Sequence, residues 1–490
     1  MPKFYSNINF KSFGSNSESS RVSIDSSGIV IKGSTGGTGG TGGSINIERE
    51  KIIYVDPVNG NDTTAASNYS TSNFVYPYQT YANALLGATS GQTIVMLPGT
   101  YTGVMFLKDG VNIYCEPGVN ITNGGFICDK EMTCEVLGHA KFTGTSTYTA
   151  FDVYTNSAPY ISNLTFEFDS ITGTRTYGIN HQSDGTLTVR GNSIFCGRPI
   201  RLASNTKNVN INIKNFIKSY DLFILMFGIY FGGAPYPKMV GEIIVTCPLI
   251  ETTNTASFKT LLQFGEALRR SDPGAYKITI NAKLIKASTA SISEPYPYFS
   301  GVVFIGGGDN IHIYGNIIGN KIHCVSAPSL SGVPHTGTIY FYGNMESDIP
   351  VISLGTKSAN GNGWHNISVN GGYLKTKGTA GLGVIETTNN WNNIMGGVPG
   401  VLHLKNCILH NEAVDSNILE FNQPFSYAFL HNCILYSPGT TGWAASSVQS
   451  SKTVNYINTR SNKNNKSMIV SNLSSPSFTY DPNMDIPKIN

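Results

Sequence analysis

The segment IHIYGNIIG at residues 311–319 decides the fold, because variants of it recur along the chain. Three further copies are IYFYGNMES at 339–347, ISVNGGYLK at 367–375 and LHLKNCILH at 402–410. Each has two apolar residues two positions apart, then a small or turn-forming residue two positions later, and then another apolar residue. Self-similarity of this kind is the sequence signature of a repeat architecture.

The small or turn-forming residue, which we call the bend position, recurs thirteen times at intervals of about 29 residues. Ten of the thirteen are Gly or Asn, the residue types that adopt positive φ at lowest cost, so we predict positive φ there. The bend positions are Cys115, Gly138, Asn163, Gly191, Asn215, Cys247, Ala282, Gly315, Gly343, Gly371, Asn406, Asn432 and Asn458.

Apolar and polar residues alternate on both sides of each bend, which indicates strand, bend and strand. The pattern therefore predicts an all-β chain, a right-handed, single-stranded parallel β-helix of about 12–13 coils. A leucine-rich repeat is the main alternative. In that repeat, however, the Asn follows the second Leu by three residues and the return segment is usually helical, and neither feature is present here.

Composition agrees with a β-rich chain and excludes several classes of partner. Charged residues make up 13% of the 490 residues, against about 25% in ordinary globular proteins. The net charge of +3 includes no run of like charge that could neutralise phosphates, so we expect no nucleic-acid partner. The longest apolar run, residues 222–231, is about half of what a bilayer crossing requires and is expected to be core or subunit interface.

The eight cysteines show neither a C-x-x-C pair nor zinc spacing, so we expect reduced, buried thiols and neither a metal nor a cofactor. Cys407 and Cys433 occupy equivalent places in successive repeats and are expected to be stacked thiols; a disulfide is the alternative. The N-terminus lacks an apolar stretch behind a basic start, which predicts no secretory signal and synthesis in the cytoplasm.

The segment before the repeats is predicted to cap the open end of the β-helix, which would otherwise expose strand edges and core. Residues 78–88 are typical of a short amphipathic helix, and residues 93–97 are typical of a first apolar strand. The sequence VSIDSSGIVIK at 22–32 alternates about Ser27-Gly28 and predicts one hairpin.

These features divide the chain into five parts. The glycine-rich residues 33–50 are predicted to be a linker, and residues 1–32 an attachment segment too short to fold alone. The remaining parts are the cap and first coil (51–110), the β-helix (111–460) and a C-terminal tail (461–490).

Residues 54–62 (YVDPVNGND) and 94–101 (IVMLPGTY) resemble the opening of pectate-lyase-like right-handed β-helix proteins, over about fifty residues. In that family the opening is structural and assigns no activity. The layout of a short N-terminal segment, a linker and a β-helix resembles phage tail spikes and head or tail fibres. The resemblance implies a virion protein made in the host cytoplasm, assembled as a homotrimer, attached to the particle through residues 1–32 and binding a host surface polysaccharide.

A polysaccharide depolymerase on the same scaffold, either a hydrolase or a lyase, is the alternative function. A secreted bacterial polysaccharide enzyme is a third, but it needs an export route that the N-terminus does not provide. A glycosidase needs two carboxylates about 5–10 Å apart. Glu167 and Asp169 share one strand face and Asp184 follows roughly one coil later, so these three are the candidate catalytic residues. The alternative is that they are ordinary exposed charges on a strand.

Other acidic residues are weaker candidates. Glu346 and Asp348 repeat the same spacing. Glu412, Asp415 and Glu420 lie in a stretch that could bind a cation, although no Asp-rich calcium loop is present.

Glycan binding is predicted for aromatic residues between the strands. Trp364, His365, Trp391 and Trp443 lie in stretches rich in Gly, Asn, Ser and Thr. Aromatic side chains offer flat apolar faces to sugar rings, and neighbouring polar residues offer hydrogen bonds. The alternative is ordinary loop packing.

Overall fold

The computed structural model describes about two thirds of the chain. The described residues are 21–25, 28–32, 52–70, 76–145, 147–154, 161–175, 177–203, 208–220, 225–229, 241–252, 260–264, 276–288, 301–305, 310–327, 338–354, 366–377, 383–387, 401–421, 427–439, 441, 445–447, 453–463 and 469–470. The chain forms two units, Met1–Lys51 and Ile52–Asn490. In the first unit, the strands Arg21–Asp25 and Gly28–Lys32 pair antiparallel, which confirms the predicted hairpin.

The second unit is a parallel β-helix, as predicted. Its described strands all pair parallel with strands of the coil before or the coil after, and they form three ladders. The alternation of apolar and polar residues explains this pairing, because each strand directs one side toward a shared core. Helices are confined to Asp62–Ser70 and Tyr81–Gly87 in the described part of the chain.

The first ladder contains fifteen strands, and seven of them continue through the bend into the second ladder. Those seven are Ser162–Gly173, Leu187–Cys196, Val209–Ser219, Tyr276–Ser288, Ile311–Asn320, Asn366–Thr376 and Val401–Asn411. The others of the first ladder are Ile52–Val55, Thr93–Met96, Asn112–Cys115, Met132–Gly138, Gly241–Thr246, Thr338–Tyr342, Tyr427–His431 and Thr453–Ile457.

The second ladder also includes six short strands: Lys141–Thr143, Leu249–Thr252, Met345–Ser347, Ile434–Tyr436, Arg460–Ser461 and Ile469–Val470. Two strands, Gly99–Phe106 and Val119–Cys128, run from the second ladder into the third. The rest of the third ladder is Phe151–Val153, Ile179–His181, Ile200–Ala203, Leu225–Ile229, Thr260–Phe264, Gly301–Ile305, His323–Ser326, Ile352–Leu354, Ile385–Thr387, Leu419–Phe421 and Ala445–Ser447.

Thirteen strands of the first ladder correspond to the thirteen predicted bends, and Ile52–Val55 and Thr93–Met96 add two coils within the cap. The prediction of positive φ is confirmed at seven bend positions and is wrong at six. The seven are Gly138, Gly315, Gly343, Gly371, Asn406, Asn432 and Asn458. The six without it are Cys115, Asn163, Gly191, Asn215, Cys247 and Ala282.

Register explains two of the misplaced bends. Phe166 pairs with Val136, so Phe168 occupies the place of Gly138 and Asn163 lies five residues too early on its strand. Gly191 pairs with Ile213 and Ser193 pairs with Phe216, so the register shifts by one residue in the segment that contains Asn215. A bulge of this kind turns the strand without one residue at positive φ.

The core is a continuous apolar column along the coils. Phe126, Phe142, Phe151 and Phe166 are fully buried, and their neighbouring rings lie 4.3–6.0 Å apart. All eight cysteines are free and buried, as predicted. The register pairs the neighbours of Cys407 with those of Cys433, which confirms stacked thiols at these places.

The capping segment folds as a cap, with two corrections. The predicted helix at 78–88 is the shorter Tyr81–Gly87, because the Thr80 side chain accepts a hydrogen bond from the Asn83 amide and begins the helix there. The helix Asp62–Ser70 was not predicted. Tyr81 is buried and its ring meets that of Phe126 edge-on at 6.1 Å, so the helix covers the core of the first coils.

The residues that resemble a pectate-lyase-like opening have structural contacts. The Asp56 carboxylate accepts hydrogen bonds from the amides of Val58 and Asn59 at 2.9 and 3.0 Å. A side chain at Gly60 would collide with the carbonyl oxygen of Tyr78. No helix in the described ranges has the length and apolar character for a membrane crossing. Of the apolar run 222–231, the described part is the third-ladder strand Leu225–Ile229.

Candidate functional site

Glu167 and Asp169 are half-buried. They alternate with the buried Phe166 and Phe168 on one strand, so their side chains lie on the outer side of the sheet. The Glu167 carboxylate accepts a hydrogen bond of 2.8 Å from Arg190, its neighbour one coil later. The Asp169 carboxylate accepts one of 3.2 Å from Asn192 and lies 3.2 Å from Nδ1 of His139. Both carboxylates therefore belong to an ion-pair and hydrogen-bond network across three coils.

Asp184 does not lie beside Glu167 and Asp169. Leu164 pairs with Leu187 and Glu167 with Arg190, so Asp184 lies six residues before the partner of Glu167. The strand that carries Arg190 begins only at Leu187, already ~10 Å from Arg190 at ~3.3 Å per residue, and Asp184 lies on a bend before it, beyond the reach of a glycosidase pair. The grouping of Asp184 with Glu167 and Asp169 is wrong, because one coil here takes 23 residues, whereas Asp184 follows Glu167 by only 17. A catalytic role for Glu167 and Asp169 stays a prediction.

The other acidic candidates are held by neighbouring groups. Glu346 and Asp348 lie 3.0 and 3.5 Å from the Lys377 ammonium. Glu412 lies 2.7 Å from Lys375. In the part of the chain that the structure describes, no group of three or more His, Cys, Asp or Glu side chains could hold a metal ion. The predicted glycan-binding residues Trp364, His365, Trp391 and Trp443 lie outside the described residues.

A pair of carboxyl groups that we did not predict as a pair lies on the third ladder. Glu386 pairs in register with Glu420, so the two side chains are neighbours on adjacent coils, whose strands are ~4.8 Å apart. Glu386 is only 9% exposed, and its Oε1 accepts a hydrogen bond of 3.4 Å from the Ser353 hydroxyl. Nε2 of His323 lies 3.9 Å from the same oxygen.

Burial, together with the charge of Glu420, raises the pKa of Glu386 to about 7. Burial lowers the pKa of His323 to about 4, so its ring is neutral near pH 7. Nδ1 of His323 lies 2.7 Å from the Pro350 carbonyl oxygen, which can only accept, so Nδ1 carries the proton. Nε2 is then unprotonated, and at 3.9 Å from Oε1 of Glu386 it is too far for a hydrogen bond and has no hydrogen-bond partner among the described residues.

A sequence signal for this pair was present. The triplets Val384-Ile385-Glu386 and Ile418-Leu419-Glu420 are both apolar, apolar, acidic, and lie 34 residues apart. That interval falls within the range of the repeat. The pair does not follow the two-residue spacing of carboxylates on one strand, because its members lie on successive coils.

Aromatic side chains line the outer side of the first ladder. His312 stacks on Tyr340 with ring centroids 4.6 Å apart, and Tyr314 stacks on Tyr342 at 4.4 Å, with ring planes within 9° of parallel. The intervening Ile313 and Phe341 are buried, so the four rings face away from the core. We call these four residues the aromatic cluster.

A second stack lies further along the same ladder. His403 stacks on Phe429 at 5.1 Å with ring planes 10° apart, and Phe429 is 37% exposed. The parallel register of the β-helix produces both stacks, since it places equivalent residues of successive coils directly above one another.

Neither a known protein family, a curated protein nor a solved structure matches this chain.

Proposed function

We propose that this chain is a structural protein of a phage virion, a β-helical tail spike or a head or tail fibre, which binds a host surface polysaccharide. The observation that carries the proposal is the aromatic cluster, four partly exposed and nearly parallel rings on a regular parallel β-helix. Aromatic rings with polar tips supply the apolar faces and hydrogen bonds that sugar rings need.

The organisation of the chain supports the virion part of the proposal. Met1–Lys51 is a compact unit of its own, and it contains the glycine-rich residues 33–43, which the sequence predicts to be a linker. A short segment followed by a glycine-rich linker is the arrangement expected of an attachment segment. Residues 1–32 are proposed to bind the particle, and the assembly is proposed to be a homotrimer made in the host cytoplasm.

Two measurements test this function. Mass spectrometry of purified phage particles should detect the chain, and deletion of residues 1–32 should remove it from the particles while the deleted chain remains soluble. The intact purified chain should bind at least one oligosaccharide on a printed array of bacterial O-antigen and capsular fragments. A chain absent from particles, or one that binds no glycan on the array, contradicts the corresponding half of the proposal.

A second candidate function, depolymerisation of host capsule or exopolysaccharide, is favoured by the Glu386 and Glu420 pair. The two carboxyl groups stand on paired strands ~4.8 Å apart, and a retaining glycosidase holds its two carboxyl groups ~5 Å apart. Glu386, with its pKa raised to about 7, would act as the general acid, and Glu420 as the nucleophile or base.

Release of reducing ends from capsule or exopolysaccharide tests this second function. Glu386→Gln and Glu420→Gln should each lower release by at least about 100-fold if the pair is catalytic. The double variant Glu167→Gln and Asp169→Asn tests the predicted alternative site in the same assay. Unchanged release in the Glu386 and Glu420 variants would exclude this pair.

A further inference from the structure

The His312–Tyr340 stack and the His403–Phe429 stack lie in one column along the first ladder, and a single coil separates them. Pairing runs from His312 to Tyr340, then to Ser368, to His403 and to Phe429. Every member of this series carries a ring except Ser368. Ile367 and Val369 are buried, so Ser368 faces outward like the rings.

Among the residues that the structure describes, no ring stacks on the second face of Tyr340 or of His403. Tyr340 has one face on His312, so its other face is directed at the coil of Ser368. His403 has one face on Phe429, so its other face is directed at the same coil from the far side. Tyr340, Ser368 and His403 therefore form the two walls and the floor of a slot.

We propose that this slot binds one pyranose ring of a glycan. The inference depends on the proposed glycan-binding function and states where one sugar ring is bound. Rings on neighbouring coils are 4.4–5.1 Å apart, so walls two coils apart are separated by ~9–10 Å between ring centres.

This width accommodates one sugar ring between the two walls. Carbon atoms in contact are ~3.5–4.0 Å apart, so contacts on both faces of an occupant take up ~7–8 Å and leave room for a puckered ring. A pyranose chair is puckered and carries axial hydrogens or hydroxyls on both faces. It therefore fits the ~9–10 Å, with a C–H face against each aromatic wall.

Polar groups lie beside the floor where sugar hydroxyls would meet them. Asn370 is two residues after Ser368 on the same outer side and is exposed, and it pairs in register with the exposed Lys405. The Ser368 hydroxyl, the Asn370 amide and the Lys405 ammonium supply both donors and acceptors. A pyranose needs both, because each of its hydroxyls can donate and accept.

The substitution Ser368→Tyr tests the inference directly, because the new ring completes the column and fills the slot. The variant should unfold at the same temperature as the wild type or above it. The probe is a printed array of bacterial O-antigen and capsular oligosaccharides, followed by calorimetric titration of the wild-type hit. Affinity for that hit should fall at least ~10-fold in the variant.

Asn455→Tyr is the matched control. Asn455 pairs with Phe429 in the same column, so a ring there extends the column at its end and leaves the slot open. This control should keep wild-type affinity. Tyr340→Ala and His403→Ala, which remove one wall each, should each weaken binding about tenfold and provide the test if Ser368→Tyr does not fold.

The outcomes separate the slot from the proposed function. A wild-type chain that binds an array glycan, with unchanged affinity in Ser368→Tyr or in both wall variants, overturns the slot and leaves glycan binding standing elsewhere on the chain. A wild-type chain that binds no glycan on the array overturns the proposed function, and the slot with it. Loss confined to the slot variants supports both.

Discussion

Gly343 illustrates the backbone conformation and the steric restriction at the bend position. Its φ is +138°, a conformation that L side chains rarely adopt, and a Cβ atom there would collide with the carbonyl oxygen of Gly315 one coil earlier. Gly371, one coil later, has φ of +69° and open space around the place of a Cβ. The two glycines therefore differ in cost of replacement, although both occupy the bend.

Gly343→Ala should lower the free energy of unfolding by at least ~2 kcal/mol, because strain and collision add. Gly371→Ala should cost only ~1 kcal/mol, since it meets strain alone. Urea denaturation followed by circular dichroism measures both. Equal effects of the two substitutions would show that the backbone of the preceding coil moves away from the new Cβ.

At the scale of elements, the cap depends on one carboxylate. Asp62 accepts hydrogen bonds from the amides of Gln79 and Thr80, from the Thr80 hydroxyl and from the Asn83 side chain, at 2.7–3.0 Å. Burial by itself would raise the pKa of Asp62, but these hydrogen bonds lower it below 3.8. The helix Tyr81–Gly87 is thereby joined to the helix Asp62–Ser70.

Asp62→Asn should lower stability at pH 7 by about 1–2 kcal/mol, because an amide loses the charge that strengthens these hydrogen bonds. The folded-state pKa is lowered, so the contribution is complete above the unfolded pKa and is lost as pH falls through the folded one. The difference from wild type should therefore shrink below about pH 4 in thermal unfolding. Asp129→Asn, at an exposed position, is the control; an equal loss there would contradict the role of the cap.

For the Glu386 and Glu420 pair on the third ladder, the dependence of stability on pH is opposite to that for Asp62. The pKa of Glu386 is raised to about 7 by burial and by Glu420, so the folded state binds its proton more tightly than the unfolded chain does. Stability then falls as pH rises from about 4.5 to about 7, and the cost is complete above that range.

Glu386→Gln should stabilise the chain above pH 7 by about 1–3 kcal/mol and remove this part of the pH dependence. Thermal unfolding of wild type and variant between pH 4 and 8 measures it. Glu131→Gln, at an exposed carboxyl group, should leave the pH profile unchanged. Parallel profiles for wild type and Glu386→Gln would mean that Glu386 is charged in the folded chain.

At the scale of the whole molecule, stability of the second unit comes from pairing between successive coils. Its first strand, Ile52–Val55, pairs with Thr93–Met96, and the cap helices belong to the same unit. Nearest-neighbour pairing of this kind makes a solenoid stable without other domains, provided that its end is covered.

A chain of residues 52–490 should therefore fold with the same circular dichroism spectrum and unfolding temperature as the full chain. Extension of the deletion to residue 92 removes the first strand and both helices. That chain should aggregate, because strand edges and core become exposed. Loss of folding in the 52–490 chain would show that the first unit stabilises the β-helix.

The sequence by itself determined the repeat, the parallel β-helix, the cap and the reduced cysteines. These follow from local properties: alternation selects strands, Gly343 and Asn406 can take positive φ, and the apolar strands need a shared core. The positions of bends such as Asn163 and Asn215 could not be deduced, because bulges and side-chain packing can turn a strand without positive φ.

Only the tertiary structure decided which side chains are neighbours across coils. The intervals between coils vary, so a spacing in sequence does not give a register in space. Asp184 is thereby separated from Glu167, whereas Glu386 meets Glu420 and Tyr340 faces His403 across Ser368. Sites on a solenoid are built along its axis, where residues one coil apart lie only ~4.8 Å from one another.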